Sequence, residues 1–313
     1  MRCRTAGTST CSAPSGMPER LAGLLDRPTL ALVGVTAIWG STFVVVKRAV
    51  EQIPVADFLT WRFAMAALAM VLLRPRAVAR LGRDGRRAGV VVGLALGTGY
   101  LLQTVGLQHT SAAVSGFITG MFVVLTPVAG FLVLRERLSW IACAAVLLAT
   151  CGLGLLSLHG LSVGYGELLT LGCAAAFALH IVALGRWAPA FDAYGLAVVQ
   201  LLTTALLCLV FAAPGGIAVP SSWEVWGALV LTALAATALA FVVQTWAQAH
   251  LAPTRAAVIM TMEPVFSGIF AVLVAGEVLG ARTLVGAALV LAAMVLTEAG
   301  PHRGPEGSVR LEV

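Results

Sequence analysis

QTVGLQHTSAAVSGFITGMFVVLTPVAGFLVLRE, residues 103–136, and QTWAQAHLAPTRAAVIMTMEPVFSGIFAVLVAGE, residues 244–277, decide the fold. Laid over one another without a gap, at an offset of 141 residues, they pair Gln103 with Gln244, Thr104 with Thr245 and His109 with His250. Ile118 then meets Ile259, Met121 meets Met262, Leu132 and Val133 meet Leu273 and Val274, and Glu136 meets Glu277. Polar residues that recur in register within apolar stretches mark a duplication. The preceding segments follow with small shifts, Arg48 meeting Arg186 at 138 and Pro54 meeting Pro189 at 135.

Composition fixes the solvent of this duplication. Of 313 residues, 59% are apolar and 11% charged, and mean hydropathy is +0.96. Soluble domains carry about 25% charged residues, so this chain has too little polar surface for a water-soluble globule. A crossing helix needs about 20 mostly apolar residues. Ten stretches fit: 30–47, 57–73, 89–108, 112–134, 139–157, 164–185, 192–213, 224–247, 254–275 and 280–297. The fold class expected is an all-α membrane protein of ten transmembrane helices, five in each copy. An odd number of crossings per copy makes the second enter the membrane from the opposite side, so the five-helix repeats are inverted. That architecture suits carriers, because exchanging the conformations of two similar halves opens one face while closing the other.

Basic residues give the orientation. With the N-terminus inside, 16 of the 20 Lys and Arg fall in cytoplasmic segments, six of them between Arg74 and Arg87; Lys47, Arg48 and Arg282 lie outside and Arg62 within the second span. The formal charge of +6 is therefore a positive-inside signal, and a nucleic-acid partner is not expected. Both termini are expected in the cytoplasm of a bacterial inner membrane. The expected division is a disordered tail at 1–28, repeats at 29–158 and 159–298, and a tail at 299–313. Residues 1–28 hold no apolar core of a cleaved signal, and Met17 is an alternative start. Six cysteines without metal-ligand spacing read as small helix residues, and no cofactor or metal is implied.

The motifs bear a family likeness. They are Ala37–Phe43 (AIWGSTF), Trp61-Arg62-Phe63, Thr110–Ala113 (TSAA) with Gly116–Gly120 (GFITG), Arg135–Leu138 (RERL), Met262–Val265 (MEPV) and Gly276–Leu279 (GEVL). Together, over residues 29–298, the chain resembles EamA-type ten-helix members of the drug/metabolite transporter superfamily. The resemblance implies a secondary transporter of small metabolites, amino acids or drug-like solutes, with export the leading direction. It implies neither a particular substrate nor an oligomeric state. The first copy departs from the second in placing Arg135, not glycine, before the shared glutamate.

Polar groups inside spans avoid lipid and turn to the bundle interior or a wet cavity. Tyr100, Thr104 and Gln108 recur at i, i+4, i+8 beside Gln103, and Gln244 and Gln248 form an i, i+4 pair. Such stripes read as cavity walls or as interhelical glue. Glu263 is the only carboxylate deep within a span, and Pro264 after it permits a kink. An ionised carboxylate at that depth is costly, so it is neutral, paired with a cation or hydrated. It exchanges a proton, binds an amine, or bonds a Thr or Gln of the eighth span for packing. The substrate-site candidates are Trp39, Thr42, Tyr100, Gln103, Thr119, His180, Gln244, Gln248 and Glu263, with Glu263 the proton-coupling group. Arg62 is expected to snorkel towards the outer interface. Glu136 and Glu277 are expected to cap neighbouring helices, and the pairs Gly93/Gly97 and Gly116/Gly120 to mediate close packing.

No HExxH, GxSxG or P-loop signature is present, so covalent chemistry and a self-contained ATP-driven pump have no support. Two rivals to a carrier stay open: a non-transporting membrane scaffold or sensor, and an intramembrane enzyme acting on lipid.

Overall fold

Residues 26–135, 140–159, 162–251, 256, 259–260 and 262–298 are described by a computed structural model. Its helices are α1 (Arg27–Ala49), α2 (Val55–Leu73), α3 (Gly82–Gln108), α4 (Ala112–Gly120), α5 (Phe122–Leu134), α6 (Trp140–Ser157), α7 (Tyr165–Trp187), α8 (Ala193–Ala212), α9 (Trp223–Ala233), α10 (Ala240–Gln248), α11 (Met262–Ala275) and α12 (Ala281–Glu298). A helical turn, Ala77–Arg80, lies before α3. α4 and α5 follow one another through Met121, and α9 and α10 through a π-helical segment, Leu234–Leu239. A two-stranded antiparallel pair, Leu158–His159 with Ser162–Val163, follows α6.

Among the described residues, seven helical stretches are long and apolar enough to cross a membrane, and three shorter apolar helices, Cys143–Gly152, Met262–Ala275 and Ala281–Ala293, fall on the fifth, ninth and tenth expected spans. Residues 252–255, 257–258 and 261, at the start of the expected ninth span, lie outside the described residues, as do Glu136, residues 1–25 and the tail 299–313; α1 begins at Arg27, two residues inside the expected tail of 1–28. α3 begins at Gly82, seven residues before the expected boundary. The basic run there is itself helical, with Arg87 paired to Asp84 at 3.8 Å one turn earlier.

Helix starts follow local chemistry. Asp26 Oδ1 accepts from Thr29 N at 2.9 Å, Ser111 Oγ from Val114 N at 3.1 Å, Asp192 Oδ2 from Gly195 N at 2.7 Å and Ser222 Oγ from Val225 N at 3.2 Å. Each side chain satisfies a backbone donor that the first turn leaves without an intrahelical partner. Hydroxyls inside the spans bond back to their own helices, as Thr42 does to Trp39 O and Thr245 to Phe241 O, which removes their cost in hydrocarbon.

Close contacts give the relative directions of the helices. Going up α3, Gly89 meets Val199, Gly93 meets Gln200 and Thr203, and Gly97 meets Thr204 and Leu207, so α3 and α8 run parallel. Gly99 meets Phe177 whereas Gly106 meets Gly166 and Thr170, so α3 and α7 are antiparallel. α1 and α11 run parallel, Gly40 lying against Glu263 and Phe266 and Arg48 bonding Val274 O. α4 opposes α11, Gly116 meeting Ser267 while Ala112 meets Glu277.

The glycine contacts leave no room for a side chain. A Cβ on Gly93 would lie 2.6 Å from the carbonyl oxygen of Gln200, and Thr204 Oγ1 donates to Gly93 O at 3.0 Å. Gly93→Leu should therefore force α3 and α8 apart and cost about 1–3 kcal/mol, the range for overpacking a core. The check is a lower midpoint of thermal unfolding for the purified chain in detergent.

Candidate functional site

A chamber opens between the helices where the two duplicated segments meet. Trp39, Thr42, Phe43 and Val46 of α1, Tyr100, Gln103 and Thr104 of α3, and Phe122 line it from the first copy; Phe177, His180 and Ile181 of α7, Phe241 and Gln244 of α10, Met260 and Glu263 line it from the second. Its volume is ≈ 50 Å³, room for a few waters at roughly 10–15 Å³ each. α6 and α12, whose contact is marked by Gly152 against Gly286 and Val290, contribute no described residue to the wall.

Seven of the nine candidates read from the sequence stand on this wall: Trp39, Thr42, Tyr100, Gln103, His180, Gln244 and Glu263. Thr119 and Gln248 do not. Thr119 sits behind the wall, its Oγ1 accepting from Gln103 Nε2 at 3.2 Å, and Gln248 Nε2 donates to Ile181 O at 3.2 Å. The spacing that put Gln248 beside Gln244 identified the inward face of the helix, but one further turn carries it into the contact with α7.

The wall keeps traces of the duplication. Gln103 reaches Thr119, and its mate Gln244 reaches Met260 Sδ at 3.7 Å, where Met260 is the mate of Thr119 at the same offset of 141. A thioether is a weak acceptor, and Gln244 Oε1 is buried without a partner among the described residues. Behind His180, Nε2 lies 2.9 Å from Gln200 Oε1, Gln200 Nε2 donates to Thr245 Oγ1 at 3.1 Å, and Thr245 donates to Phe241 O at 2.6 Å. Because the Thr245 proton is committed to a carbonyl, its oxygen accepts from the Gln200 amide. That turns the amide oxygen to His180, whose Nε2 must carry the hydrogen. Gln200, fully buried, was not singled out in the sequence.

Two charged groups stand on the wall. Glu263 is 7% exposed, and its carboxylate makes no hydrogen bond or ion pair among the described residues. The packing alternative, a bond to a Thr or Gln of the eighth span, is therefore not formed. Gly40 lets α1 approach here: a Cβ on it would lie 2.8 Å from Glu263 O.

Arg62 does not snorkel; it is 2% exposed and lines the chamber. Its Nε donates to Thr237 Oγ1 at 2.8 Å and Nη2 to Ala236 O at 3.4 Å, and its Cζ lies 4.9 Å from the Tyr100 ring centroid and 5.5 Å from that of Phe63. Arg62 is the eighth residue of α2, about 10 Å from its start at 1.5 Å per residue, too deep for the outer interface once α8, α9 and the π-helical segment pack against α2. Both acceptors belong to the π-helical segment, one a side-chain hydroxyl and one a backbone carbonyl. The same Ala236 O accepts from Trp39 Nε1 at 2.8 Å, tying α1 and α2 to one turn.

One end of the bundle is stitched by polar bonds. Glu277 Oε1 accepts from Ala112 N at 2.9 Å and Oε2 from Ala113 N at 3.2 Å, so it caps α4 as expected of it. Lys47 Nζ donates to Thr110 O at 2.7 Å, and Thr110 Oγ1 to Glu167 Oε1 at 2.8 Å.

Membrane-length helices packed around a chamber with polar and charged groups define a multi-pass membrane protein with an internal polar compartment. The chain belongs to the EamA-like transporter family, matching it twice, over residues 27–158 and 164–298. It is 34% identical over 267 residues to an uncharacterized transporter of Archaeoglobus fulgidus, covering 85% of this chain and 84% of that one. It is 25% identical to the uncharacterized transporter YoaV of Bacillus subtilis, over 83% of this chain and 93% of that one. A crystal structure of a protein 19% identical in sequence superposes with a TM-score of 0.66, over 87% of this chain and 97% of that one, and so shares its fold. The protein is accordingly a membrane transporter of the drug/metabolite superfamily.

Proposed function

We propose that the chain is a ten-span secondary carrier that moves small metabolites, amino acids or drug-like solutes by alternating access. Repeats 29–158 and 159–298 are its inverted halves. Both tails are cytoplasmic, the host membrane is a bacterial inner membrane, and export is the physiological direction. The solute contacts Trp39, Thr42, Tyr100, Gln103, His180, Gln244 and Glu263, with Thr119 and Gln248 holding the wall from behind. Glu263 carries the coupling proton.

The observation that carries this reading is a carboxylate without a partner among the described residues, on the wall of a chamber to which both copies contribute. Helices that only anchor a scaffold have no need to bury such a group, which costs about 2.5–3.5 kcal/mol at a helix centre when ionised. Support also comes from the chamber's size. A few water volumes do not admit a metabolite, so loading requires the halves to separate, which is the movement that alternating access supplies.

Reconstituted vesicles provide the test. Vesicles loaded with a metabolite mixture should lose one or more solutes saturably, and faster than vesicles without protein. Binding without flux would instead favour a scaffold or sensor, and turnover of the lipids an enzyme.

A further inference from the structure

The sequence suggested an interfacial task for Arg62, and the family match assigns it none. Its surroundings are unlike those of a structural arginine. A buried guanidinium is ordinarily balanced by a carboxylate, yet Arg62 forms no ion pair among the described residues, and Glu263, on the same wall, is not within 4.0 Å of it. What holds Arg62 is neutral: the Thr237 hydroxyl, the Ala236 carbonyl and two aromatic rings.

The arrangement is also directional. A guanidinium has two edges that accept a carboxylate in the bidentate manner, one formed by Nε and a terminal nitrogen, the other by the two terminal nitrogens. The π-helical segment engages the first edge through Nε and Nη2. Nη1 and the second proton of Nη2 form the other edge, which meets no carboxylate among the described residues. Rings at 4.9 and 5.5 Å from Cζ fix the plane of the group.

The duplication isolates this charge. At the shift of 135 that pairs Pro54 with Pro189, Arg62 meets Ala197, just as Glu263 meets Phe122 at 141. Each charge on the wall thus has a neutral twin in the other copy, so neither follows from the symmetry of the scaffold.

We propose that Arg62 is a substrate-binding residue, its end-on edge taking a planar carboxylate on a solute with an apolar body, and that Thr237 and the Ala236 carbonyl are its positioning groups. The apolar body rests against Trp39, Phe177 and Phe241. This assignment rests on the reading of the chamber as a solute site.

The test uses three probes that share one apolar body and differ in the head group: 3-phenylpropanoate, 3-phenylpropanamide and 3-phenylpropylamine. Their binding to the purified full chain in detergent is measured by calorimetry. The wild type should bind the carboxylate at least tenfold more tightly than the amide. Arg62→Gln should erase that preference while binding the amide as before, which also reports an intact chamber. Arg62→Lys should keep only part of the preference, because an ammonium lacks the fork, and Thr237→Val should reduce it several-fold through loss of the Nε acceptor. If Arg62→Gln does not fold, the lysine and valine variants decide. A wild type without carboxylate preference, or a preference that survives in the variants that fold, overturns the proposal. Carboxylate preference without flux in vesicles overturns the carrier reading alone, whereas flux without that preference overturns this assignment alone.

Discussion

Glu263→Gln should reduce solute movement driven by a pH gradient by an order of magnitude or more, while exchange of solute for solute across the same vesicles persists. The two readouts separate because they ask different things of one atom. A coupled proton must be taken up at one face and released at the other, and the amide of glutamine neither gains nor loses a proton in the working range. Exchange needs only that the loaded carrier reorient. The substitution keeps the length and shape of the side chain, so the closeness of α1 at Gly40 is undisturbed. It also replaces a carboxylate that has no partner among the described residues by a neutral group. Thermal unfolding should then occur at the wild-type temperature or above it, because burying an ionised group costs more than burying an amide. A variant that couples as the wild type does removes Glu263 from proton transfer. One that loses exchange as well shows that solute binding needs the charge of this contact and not only its length and shape.

Much of this was legible in the sequence for physical reasons. A chain with few charges must lie in lipid, and repeated polar positions must point inward, so the stripes containing Tyr100, Gln103 and Gln244 find the chamber without coordinates. Glu277 is read as a cap from its place after the ninth span, whereas Ser111, Asp192 and Ser222 are not read as caps from sequence, because an N-cap depends on where the helix starts and the apolar pattern leaves that open by several residues. Arg62 was visible as a charge inside a span, but its direction was not, because that depends on which helices cover α2. The π-helical turn that receives it comes from the run LAATAL, residues 234–239, which has no glycine or proline to mark it. Gln200 is a lone amide in an apolar helix, and its partners His180 and Thr245 lie 20 and 45 residues away in sequence. Side-chain networks of this kind are set by packing between helices, and periodicity along one helix does not register them.

Single cysteines at positions 83 and 215 should label from opposite faces of the membrane, position 83 from the cytoplasm. Gly85 is the less suitable neighbour, since a Cβ there would meet Leu81 at 2.6 Å and Phe191 at 3.0 Å; Gly215 has nothing within 4 Å, and Arg83 is exposed. The native cysteines must first be replaced, Cys143 and Cys151 being exposed and Cys173 and Cys208 buried. α3 starts just before position 83, α8 ends just before position 215, and the two helices run parallel, which puts the labels at opposite ends of one packed pair. Parallel neighbours that are the third and seventh spans fit ten crossings. Had one crossing fewer separated them, α8 would run against α3. The twin segments are tied into the same frame: α7 opposes α3, α11 runs with α1 and opposes α4. α4 continues through Met121 into α5, and α5 is the segment that α11 duplicates at 141, so the fourth expected span and its mate, the ninth, point in opposite directions, as inversion requires. Labelling of both positions from one face would leave the halves in the same sense, and alternate opening by exchange of their conformations would have no geometric basis.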